Sequence, residues 1–305
     1  MHQTEKSMAK IGFVGLGHMG LPMAINLIKA GYQVTGYDLQ QTALQHFAQA
    51  GGLIAHNTQE LAHDKDAIIT MLQTGQQVLG VCHSKNGLFQ AAKKDALFID
   101  CSTIDVNSSR ELHHLATQYH LQVVDAPVSG GVAGATAATL TFMVGGEESA
   151  FHAAKPILAA MGQKIIHTGI AGSGQAAKIC NNMILGISMI AISEAFVLAE
   201  QLQLSPQKLF EVVSNSSGQC WAMTKYAPVP GVLENVPANN DYKPGFAAAM
   251  MLKDLLLSQD SAHSVNLETP LGAKAAQIYQ HFIDQGLGDS DFSAIIKLIA
   301  QGKEV

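Results

Sequence analysis

The sequence has little charge and no block of basic residues. Charged residues make up 14% of the 305 residues, and the formal net charge is −6. Acidic and basic residues are mixed along the chain, so the sequence offers no basic patch of the kind that binds nucleic acid. We therefore expect no nucleic-acid partner, and a reaction of small molecules is the leading hypothesis.

Cysteine is scarce as well. The cysteines are Cys82, Cys101, Cys180 and Cys220. They are far apart and form no C-x-x-C pair, which argues against a disulfide framework or a zinc site and favours a reducing cytoplasm. The histidines show no H-E-x-x-H spacing, so we expect no metal site. The lack of a G-x-S-x-G elbow also weakens a hydrolase interpretation.

Little in the sequence suggests targeting or a membrane span. Residues 1–8 are polar and lack the apolar core of a signal peptide, so we expect them to be a disordered lead-in. The apolar stretch 183–199 approaches the length of a spanning helix, but it contains Glu194 and is flanked by Lys178 and Glu200. We interpret it as a buried helix of a soluble protein and expect no membrane partner.

Short β-branched runs alternate with helical patterns over the first half of the chain. The runs with the pattern of strands are "IGFVG", "QVTGYD", "AIITML", "ALFIDC", "LQVVDA" and "LTFMVGG". This alternation is typical of a parallel sheet with crossover helices. We therefore predict an α/β fold that begins with a Rossmann-type, doubly wound sheet over residues 1–172.

The strand pattern ends after "KIIHTGIAGSG", and helical patterns fill the rest of the chain. We predict an all-α C-terminal domain over residues 173–305. A long apolar helix that begins near Gln175 is predicted to join the two domains. We expect His113 and His114, on a helix of the first domain, to face solvent.

Glycines follow the first predicted strand with the spacing G-x-G-x-x-G. Gly15, Gly17 and Gly20 lie between "IGFV" and a helical pattern over residues 19–30. In this context the first glycine permits a tight turn, the second lets the backbone approach a pyrophosphate, and the third permits close helix–strand packing. The helix N-terminus adds amide hydrogens and a positive dipole end that suit a phosphate. The stretch therefore predicts a dinucleotide site.

An acidic residue ends the second predicted strand. Asp38 lies about twenty residues beyond the glycines, where a carboxylate can accept hydrogen bonds from both hydroxyls of an adenosine ribose and repel a 2′-phosphate. No arginine follows directly to bind such a phosphate. We therefore predict NAD rather than NADP as the cofactor. The alternative interpretation is that Asp38 only caps the next helix.

Two further segments are candidates for substrate chemistry, because ligands of such sheets lie beyond the carboxyl ends of the strands. In "VVDAPVSGGVAGA", the Ser129 hydroxyl and the amides of Gly130 and Gly131 can converge on a carboxylate, although the run is also typical of a simple turn. In "GSGQAAKICNN", Lys178 and Asn182 share a helical face. Apolar neighbours would desolvate the lysine, lower its pKa and make it a usable proton carrier. The alternative is a lysine that extends from an apolar helix to solvent.

In this order, the motifs resemble those of the β-hydroxyacid dehydrogenase family. "FVGLGHMGLPMAINL" is similar to the family's N-terminal motif, "DAPVSGGV" to its substrate loop and "GSGQAAKICNNM" to its catalytic helix. The resemblance runs from about residue 10 to the last helix. Segments 216–242 and 245–262 are similar to the hydroxyisobutyrate branch of the family.

This resemblance implies an activity and a set of site residues. The activity is NAD-dependent oxidation of a small 3-hydroxy acid, (S)-3-hydroxyisobutyrate, to methylmalonate semialdehyde in valine breakdown, by a homodimer or homotetramer. Lys178 is implied to be the catalytic acid/base, with Asn182 beside it. Substrate contacts are implied for Ser129, Gly130, Gly131, Trp221 and Asp254. Cofactor contacts are implied for Gly15, Leu16, Gly17, His18, Met19, Gly20, Asp38, Leu72, Gln73, Gln77, Thr103 and Lys253.

The chain departs from the family's pattern in the cofactor loop. The family usually has Leu-Pro where this chain has Leu72 and Gln73, so the contact at Gln73 can differ. Two alternatives stay open. One is a related enzyme that acts on tartronate semialdehyde, glyoxylate, succinic semialdehyde or serine. The other is a non-catalytic cofactor-binding module, which would need no proton carrier.

Overall fold

The computed structural model describes residues 9–302. The chain divides into two compact units between Lys178 and Ile179, called here the first and the second unit. The domain boundary predicted between residues 172 and 173 stays a prediction. The expected disordered lead-in over residues 1–8 lies outside the described residues.

The first unit contains a nine-stranded sheet. Its strands are β1 Lys10–Val14, β2 Gln33–Tyr37, β3 Leu53–Ile54, β4 Ala67–Thr70, β5 Leu97–Asp100, β6 Gln122–Asp125, β7 Val128–Ser129, β8 Leu140–Gly146 and β9 Gly162–Gly169. The order is β3-β2-β1-β4-β5-β6-β8-β7, and β9 pairs with β8. The strands from β1 to β6 are parallel, whereas β8 is antiparallel to β6 and β7. The order reverses between β1 and β4, the point where such sheets bind their ligands.

Helices cover both faces of this sheet. They are α1 Gly20–Lys29, α2 Gln41–Gln49, α3 Thr58–Ala62, α4 Gly75–His83, α5 Leu88–Ala91, α6 Val106–Gln118, α7 Gly131–Ala137 and α8 Glu148–Leu158. Side chains alternate between the two faces of a strand. Accordingly, Phe13 of β1 packs in the cluster with α1, α2 and α8, and the next residue, Val14, packs in the cluster with α3 to α6. The predicted doubly wound sheet is confirmed.

The second unit is helical. The long helix α9 Ser173–Gln201 begins in the first unit and continues into the second. It is followed by α10 Pro206–Ser214, α11 Trp221–Tyr226, α12 Ala248–Ser264, α13 Pro270–Phe282 and α14 Ile295–Ile299, with 3₁₀ turns at Pro237–Asn240 and Phe292–Ala294 and a π turn at Ile283–Leu287. Tyr279, Phe282 and Phe292 are among the largest side chains buried in its core.

Helix α9 is long and apolar enough to meet a length-and-composition test for a membrane span. Its most apolar 18-residue window has a mean hydropathy of 1.8, and 44% of that window is buried within the protein. The core helix of a soluble protein passes the same test. The burial supports the interpretation of α9 as a core helix.

Each of the six predicted strands is present, and three strands were missed. The missed strands are β3, β7 and β9. Strands β3 and β7 have two residues each, which is too short for a periodic pattern. Strand β9 pairs only with β8, and most of its side chains are exposed or half-buried, so it lacks the alternation that identifies a strand.

Candidate active site

Each of the three glycines in the loop after β1 occupies a position that favours glycine for a different reason. Gly15 has a φ of 93°, and its N–H donates to the carbonyl of Tyr37 at 3.0 Å. A Cβ on Gly20 would lie 1.8 Å from the carbonyl oxygen of Gly15, so the start of α1 packs directly on the loop. A Cβ on Gly17 would meet nothing within 4 Å. The open space at Gly17 fits a ligand that approaches the backbone there.

The start of α1 can receive a phosphate. Its N-cap residue, Met19, makes no side-chain capping bond, so the first helical amides are not satisfied in that way. The neighbouring loop residues differ in exposure: Leu16 is buried, Met19 is half-buried and His18 is exposed. The loop therefore presents backbone, rather than large apolar side chains, to a ligand.

Asp38 connects the end of β2 to this loop. One of its oxygens accepts the N–H of Leu16 at 2.6 Å, and the other accepts the N–H of Gln40 at 2.7 Å. Each carboxylate oxygen has a second lone pair that can accept a ribose hydroxyl. The alternative in which Asp38 only caps α2 does not account for its bond to the glycine loop.

The loops after β4 and β5 are joined by side chains. The N–H of Leu72 donates to the Ser102 hydroxyl at 2.9 Å, and the N–H of Gln73 donates to Gln77 Oε1 at 3.1 Å. Proline, which the family usually has at this position, lacks an N–H and could not make the bond from Gln73 to Gln77. Thr103 is half-buried in the loop after β5. These residues lie at the carboxyl edge of the parallel strands, beside the glycine loop in strand order.

The predicted substrate loop follows β7 with unusual backbone angles. Gly130 has a φ of 134° and Gly131 a φ of 62°. Other residues rarely adopt such angles, which explains the paired glycines. Ser129 is half-buried at the end of β7, beside Thr141 of β8. The segment is thus a strand end with a turn into α7.

Helix α9 begins close against the sheet. A Cβ on Gly174 would lie 2.4 Å from the carbonyl oxygen of Met143 in β8. Lys178 and Asn182, one helical turn apart on α9, have 7% and 1% of their surface exposed. The alternative of a lysine that extends into solvent is therefore wrong.

A buried carboxylate holds this helix start, and it was missed in the sequence. Asp125, which ends β6, accepts the N–H of Gly172 at 2.8 Å and the N–H of Gln175 at 3.0 Å. His113 Nε2 lies 3.0 Å from the same carboxylate. The expectation that His113 faces solvent is therefore wrong, whereas His114 is exposed. The sequence did carry a signal for Asp125, namely an acidic residue at the end of a buried strand. The same signal identified Asp38.

Asp100, at the end of β5, is a second buried carboxylate. It accepts the Thr70 hydroxyl at 2.8 Å and the N–H of Ser102 at 3.1 Å. Burial raises its pKa to about 6, and the neighbouring charge of Asp125 adds to the rise. Near neutral pH this group therefore titrates inside the protein, next to the loop that carries Thr103.

In the second unit, three of the predicted residues form a network. Asn182 donates to one oxygen of Asp254 at 2.5 Å, and Asn181 donates to the Asn182 side-chain oxygen at 2.9 Å. Lys253 Nζ lies 3.5 Å from the other Asp254 oxygen, which is an ion-pair distance without hydrogen-bond geometry. Asp254 is buried. The network fixes the orientation of the Asn182 amide.

Trp221 is held by a separate network of the second unit. Its ring stacks on Tyr226, with 5.0 Å between centroids. The Tyr226 hydroxyl donates to Asp291 at 2.9 Å. Burial raises the pKa of Tyr226 well above its ordinary value, and the nearby negative charge of Asp291 raises it further. This hydroxyl therefore stays protonated. Half of the Trp221 surface is exposed and can contact a ligand.

The described residues contain no group of three or more histidine, cysteine or acidic side chains that could hold a metal ion. The predicted site residues of the first unit offer backbone amides, the carboxylate of Asp38 and the amine of Lys178, and those of the second unit offer the Asn182 amide and the Asp254 carboxylate.

Comparison with known proteins gives consistent matches along the chain. Residues 10–169 match a family described as the NAD binding domain of 6-phosphogluconate dehydrogenase. Residues 172–299 match a family described as NAD-binding of NADP-dependent 3-hydroxyisobutyrate dehydrogenase.

Relatives match over nearly their whole length. A probable 3-hydroxyisobutyrate dehydrogenase of Mycobacterium bovis is 50% identical and covers 95% of this chain and 97% of its own. An NAD-dependent L-serine dehydrogenase of Pseudomonas aeruginosa is 44% identical, with coverages of 95% and 98%. The solved structure of Mycobacterium tuberculosis 3-hydroxyisobutyrate dehydrogenase with L-serine has a TM-score of 0.91 and 49% identity, with coverages of 96% and 99%.

Proposed function

Because this chain belongs to the 3-hydroxyisobutyrate dehydrogenase family and is an NAD-dependent oxidoreductase, we propose that it oxidises (S)-3-hydroxyisobutyrate to methylmalonate semialdehyde, a step of valine breakdown. The observation that carries the proposal is the burial of Lys178 and Asn182 one turn apart on α9. A cofactor-binding module without catalysis would not need a buried amine in this position.

The residues of the first unit fit NAD. The open backbone at Gly17 and the uncapped start of α1 suit a pyrophosphate, and Asp38 suits an unphosphorylated ribose. The bound nicotinamide ring supplies hydride acceptance. We propose that the remaining predicted cofactor residues hold NAD as well, namely Leu16, His18, Met19, Leu72, Gln73, Gln77, Thr103 and Lys253.

We propose that Lys178 takes the proton of the substrate hydroxyl during oxidation and returns it during reduction. The amine is almost completely buried, next to the amide of Asn182 one helical turn away, so it is held in place rather than extended into solvent. An acid/base group of this kind contributes about 10²- to 10⁴-fold to a rate. The Asn182 amide, oriented by Asp254, is proposed to hydrogen bond to the substrate.

The remaining substrate contacts are proposed from the loops. Ser129 and the amides of Gly130 and Gly131 are proposed to bind the carboxylate of the hydroxy acid, because a turn with positive φ angles can form a backbone nest for an anion. Asp254 and the exposed face of Trp221 are proposed as further substrate contacts, supplied by the second unit.

L-serine is a second candidate substrate. One relative at 44% identity is named an L-serine dehydrogenase, and a solved relative contains L-serine. Serine differs from 3-hydroxyisobutyrate by an ammonium group in place of a methyl group. The buried Asp254 carboxylate offers a partner for such a charge.

A substrate and cofactor panel tests the proposal. The purified protein is given (S)-3-hydroxyisobutyrate, L-serine, glycerate and glycolate, each with NAD and with NADP, and reduced nicotinamide is followed by absorbance. We expect the highest kcat/KM for (S)-3-hydroxyisobutyrate with NAD. An equal or higher value with L-serine would replace the proposed substrate. A preference for NADP would contradict the role given to Asp38.

We also propose a cytoplasmic, homo-oligomeric enzyme, as a dimer or tetramer. The exposed thiol of Cys180 suits a reducing compartment. Helix α9 exposes Ile184 and Leu198, and Leu202 follows in the same exposed row. Exposed apolar rows on a helix mark association surfaces. Sedimentation of the purified protein measures the number of subunits, and a monomer at all concentrations would contradict the proposed assembly.

A further inference from the structure

The side chain of Gln175 extends from the start of α9 to the loop after β5. It is completely buried. Its Oε1 accepts the N–H of Ile104 at 3.1 Å, and its Nε2 donates to the carbonyl of Ser102 at 2.7 Å. These two backbone groups lie on either side of Thr103. One amide thus holds both ends of the short segment that carries this proposed cofactor contact.

The backbone of Gln175 is held equally firmly. Its N–H donates to Asp125 at 3.0 Å, and the N–H of Gly172 donates to the same carboxylate at 2.8 Å. A Cβ on Gly174 would lie 2.7 Å from the carbonyl oxygen of Asp125, so the helix start has no room to move toward the strand. Lys178 follows Gln175 within one turn of the same helix.

The loop that Gln175 binds has its own attachment to the cofactor edge. The Ser102 hydroxyl accepts the N–H of Leu72, and the Ser102 N–H donates to Asp100 at 3.1 Å. A continuous set of hydrogen bonds therefore runs from Leu72 through Ser102 to Gln175. All of its members belong to the first unit.

We propose that Gln175 is a positioning residue that sets the distance between the Thr103 segment and Lys178. The inference rests on the proposed function, in which Thr103 contacts the cofactor and Lys178 moves the proton. Reacting groups must be aligned closely, and a misplacement of about 1 Å can cost about 10²-fold in rate. Gln175 thereby supports the alignment of proton transfer with hydride transfer without touching substrate.

The test compares Gln175→Met with Asn57→Ala. Methionine keeps the length of the side chain and removes both hydrogen bonds. Asn57 caps α3 by accepting the N–H of Glu60 at 2.8 Å, so its loss destabilises the same unit without breaking any hydrogen bond of Gln175 or Ser102. The measurement is a single turnover with (S)-3-hydroxyisobutyrate, saturating NAD and enzyme in excess. The rate constant of nicotinamide reduction reports alignment, and far-ultraviolet circular dichroism of the same sample reports the folded fraction.

We expect Gln175→Met to lower the rate constant by about 10- to 100-fold, as a misalignment below 1 Å would, while the NAD dissociation constant changes less than about threefold. Asn57→Ala should leave the rate constant unchanged. A Gln175→Met protein with a reduced folded fraction and an unchanged rate constant would show a purely structural role and overturn the proposal.

A second variant covers a failure to fold. Gln175→Asn keeps a buried amide but is one methylene group too short to reach both Ser102 and Ile104, and we expect the same slower rate constant. If both variants lose the folded state, Gln175 is a stability residue and the proposal is overturned. Lys178→Ala distinguishes a failure of the proposed function from a failure of this inference. If Lys178→Ala is active, the proposed function is contradicted. If Lys178→Ala is inactive but Gln175→Met has a normal rate constant, only the role of Gln175 is contradicted.

Discussion

The two units place their candidate site residues in different ways. In the first unit, positions are set mainly by backbone: glycines allow close approach at Gly15 and Gly20, and strand ends deliver Asp38 to the same edge. In the second unit, positions are set by side chains gathered around the buried carboxylates Asp254 and Asp291. A site positioned by backbone can be recognised in the sequence as a motif of glycines at fixed spacing. A site positioned by side chains appears in the sequence only as polar residues far apart from one another.

The contrast predicts different responses to mutation. A backbone-built site should be damaged most by added atoms, because the glycine loop has no space for them. A carboxylate-built site should be damaged most by removed atoms, because several donors lose their acceptor together. The following changes test that contrast in order of expected effect.

Gly20→Ala should have the largest effect on stability. The added Cβ would lie 1.8 Å from the Gly15 carbonyl oxygen, and both atoms belong to backbone that no side-chain rotation can relieve. We expect a loss of about 4 kcal/mol or more in the free energy of unfolding. The matched control is Gly17→Ala, whose Cβ meets nothing.

Gly17→Ala should change the free energy of unfolding by less than about 1 kcal/mol and still weaken NAD binding. Chemical denaturation and titration with NAD measure the two quantities. Equal stability losses in both variants would show that the steric distinction between the glycines is wrong.

Asp291→Ala should damage the second unit. The carboxylate accepts the Tyr226 hydroxyl, the N–H groups of Gly245 and Phe246, and both the N–H and the hydroxyl of Ser293. We expect a loss of about 3 kcal/mol, since buried donors are left without their charged acceptor. Trp221 is the only tryptophan and stacks on Tyr226, so its fluorescence follows this unit.

The control for that change is the exposed Asp284 of the same unit, which accepts a bond from the exposed Gln280. Asp284→Ala should change the free energy of unfolding, measured from the fluorescence transition, by less than about 0.5 kcal/mol. If Asp291→Ala unfolds at the same denaturant midpoint as the control, the claim that the Asp291 carboxylate organises the region around Trp221 is contradicted.

Asp100→Asn examines a place where the first unit, as at Asp125, also depends on a buried carboxylate. Its pKa is raised from 3.8 to about 6 by burial, with Asp125 contributing. An acid with a raised pKa in the folded state binds its proton more tightly there than in the unfolded chain. It therefore destabilises the fold progressively as pH rises from about 4 to 6 and fully above that range.

Asparagine removes this charge, so the stability of Asp100→Asn relative to the natural protein should increase by about 2 kcal/mol between pH 4 and pH 7. Denaturation at both pH values measures the change. Asp95→Asn is the control, because Asp95 is exposed and asparagine tolerates its positive φ. A pH-independent difference for Asp100→Asn would contradict the raised pKa.

Much of the first unit could be predicted from sequence because its signals are local. The G-x-G-x-x-G spacing and the acid at the end of β2 predict a cofactor site at this edge of the sheet, and the six main strands were found from apolar runs. Strand β9 was missed because an edge strand that exposes most of its side chains carries no alternation. The antiparallel direction of β8 depends on long-range pairing and left no local signal.

The polar contacts could not be predicted in the same way. Gln175 binds backbone groups more than seventy residues earlier in the chain, and Asn182 binds Asp254 seventy-two residues later. Such partners are defined only when the chain folds. His113 shows the same limit, because its neighbour His114 is exposed and only the three-dimensional position of Asp125 distinguishes the two.

The central claim is that the buried amine of Lys178 carries the proton of the reaction. The most direct measurement is kcat of Lys178→Ala with (S)-3-hydroxyisobutyrate and NAD, together with the NAD dissociation constant. We predict a fall in kcat of about 10³-fold, within the usual range for a lost acid/base group, and a dissociation constant within about threefold of the natural protein. A Lys178→Ala protein that keeps most of its turnover would contradict the account.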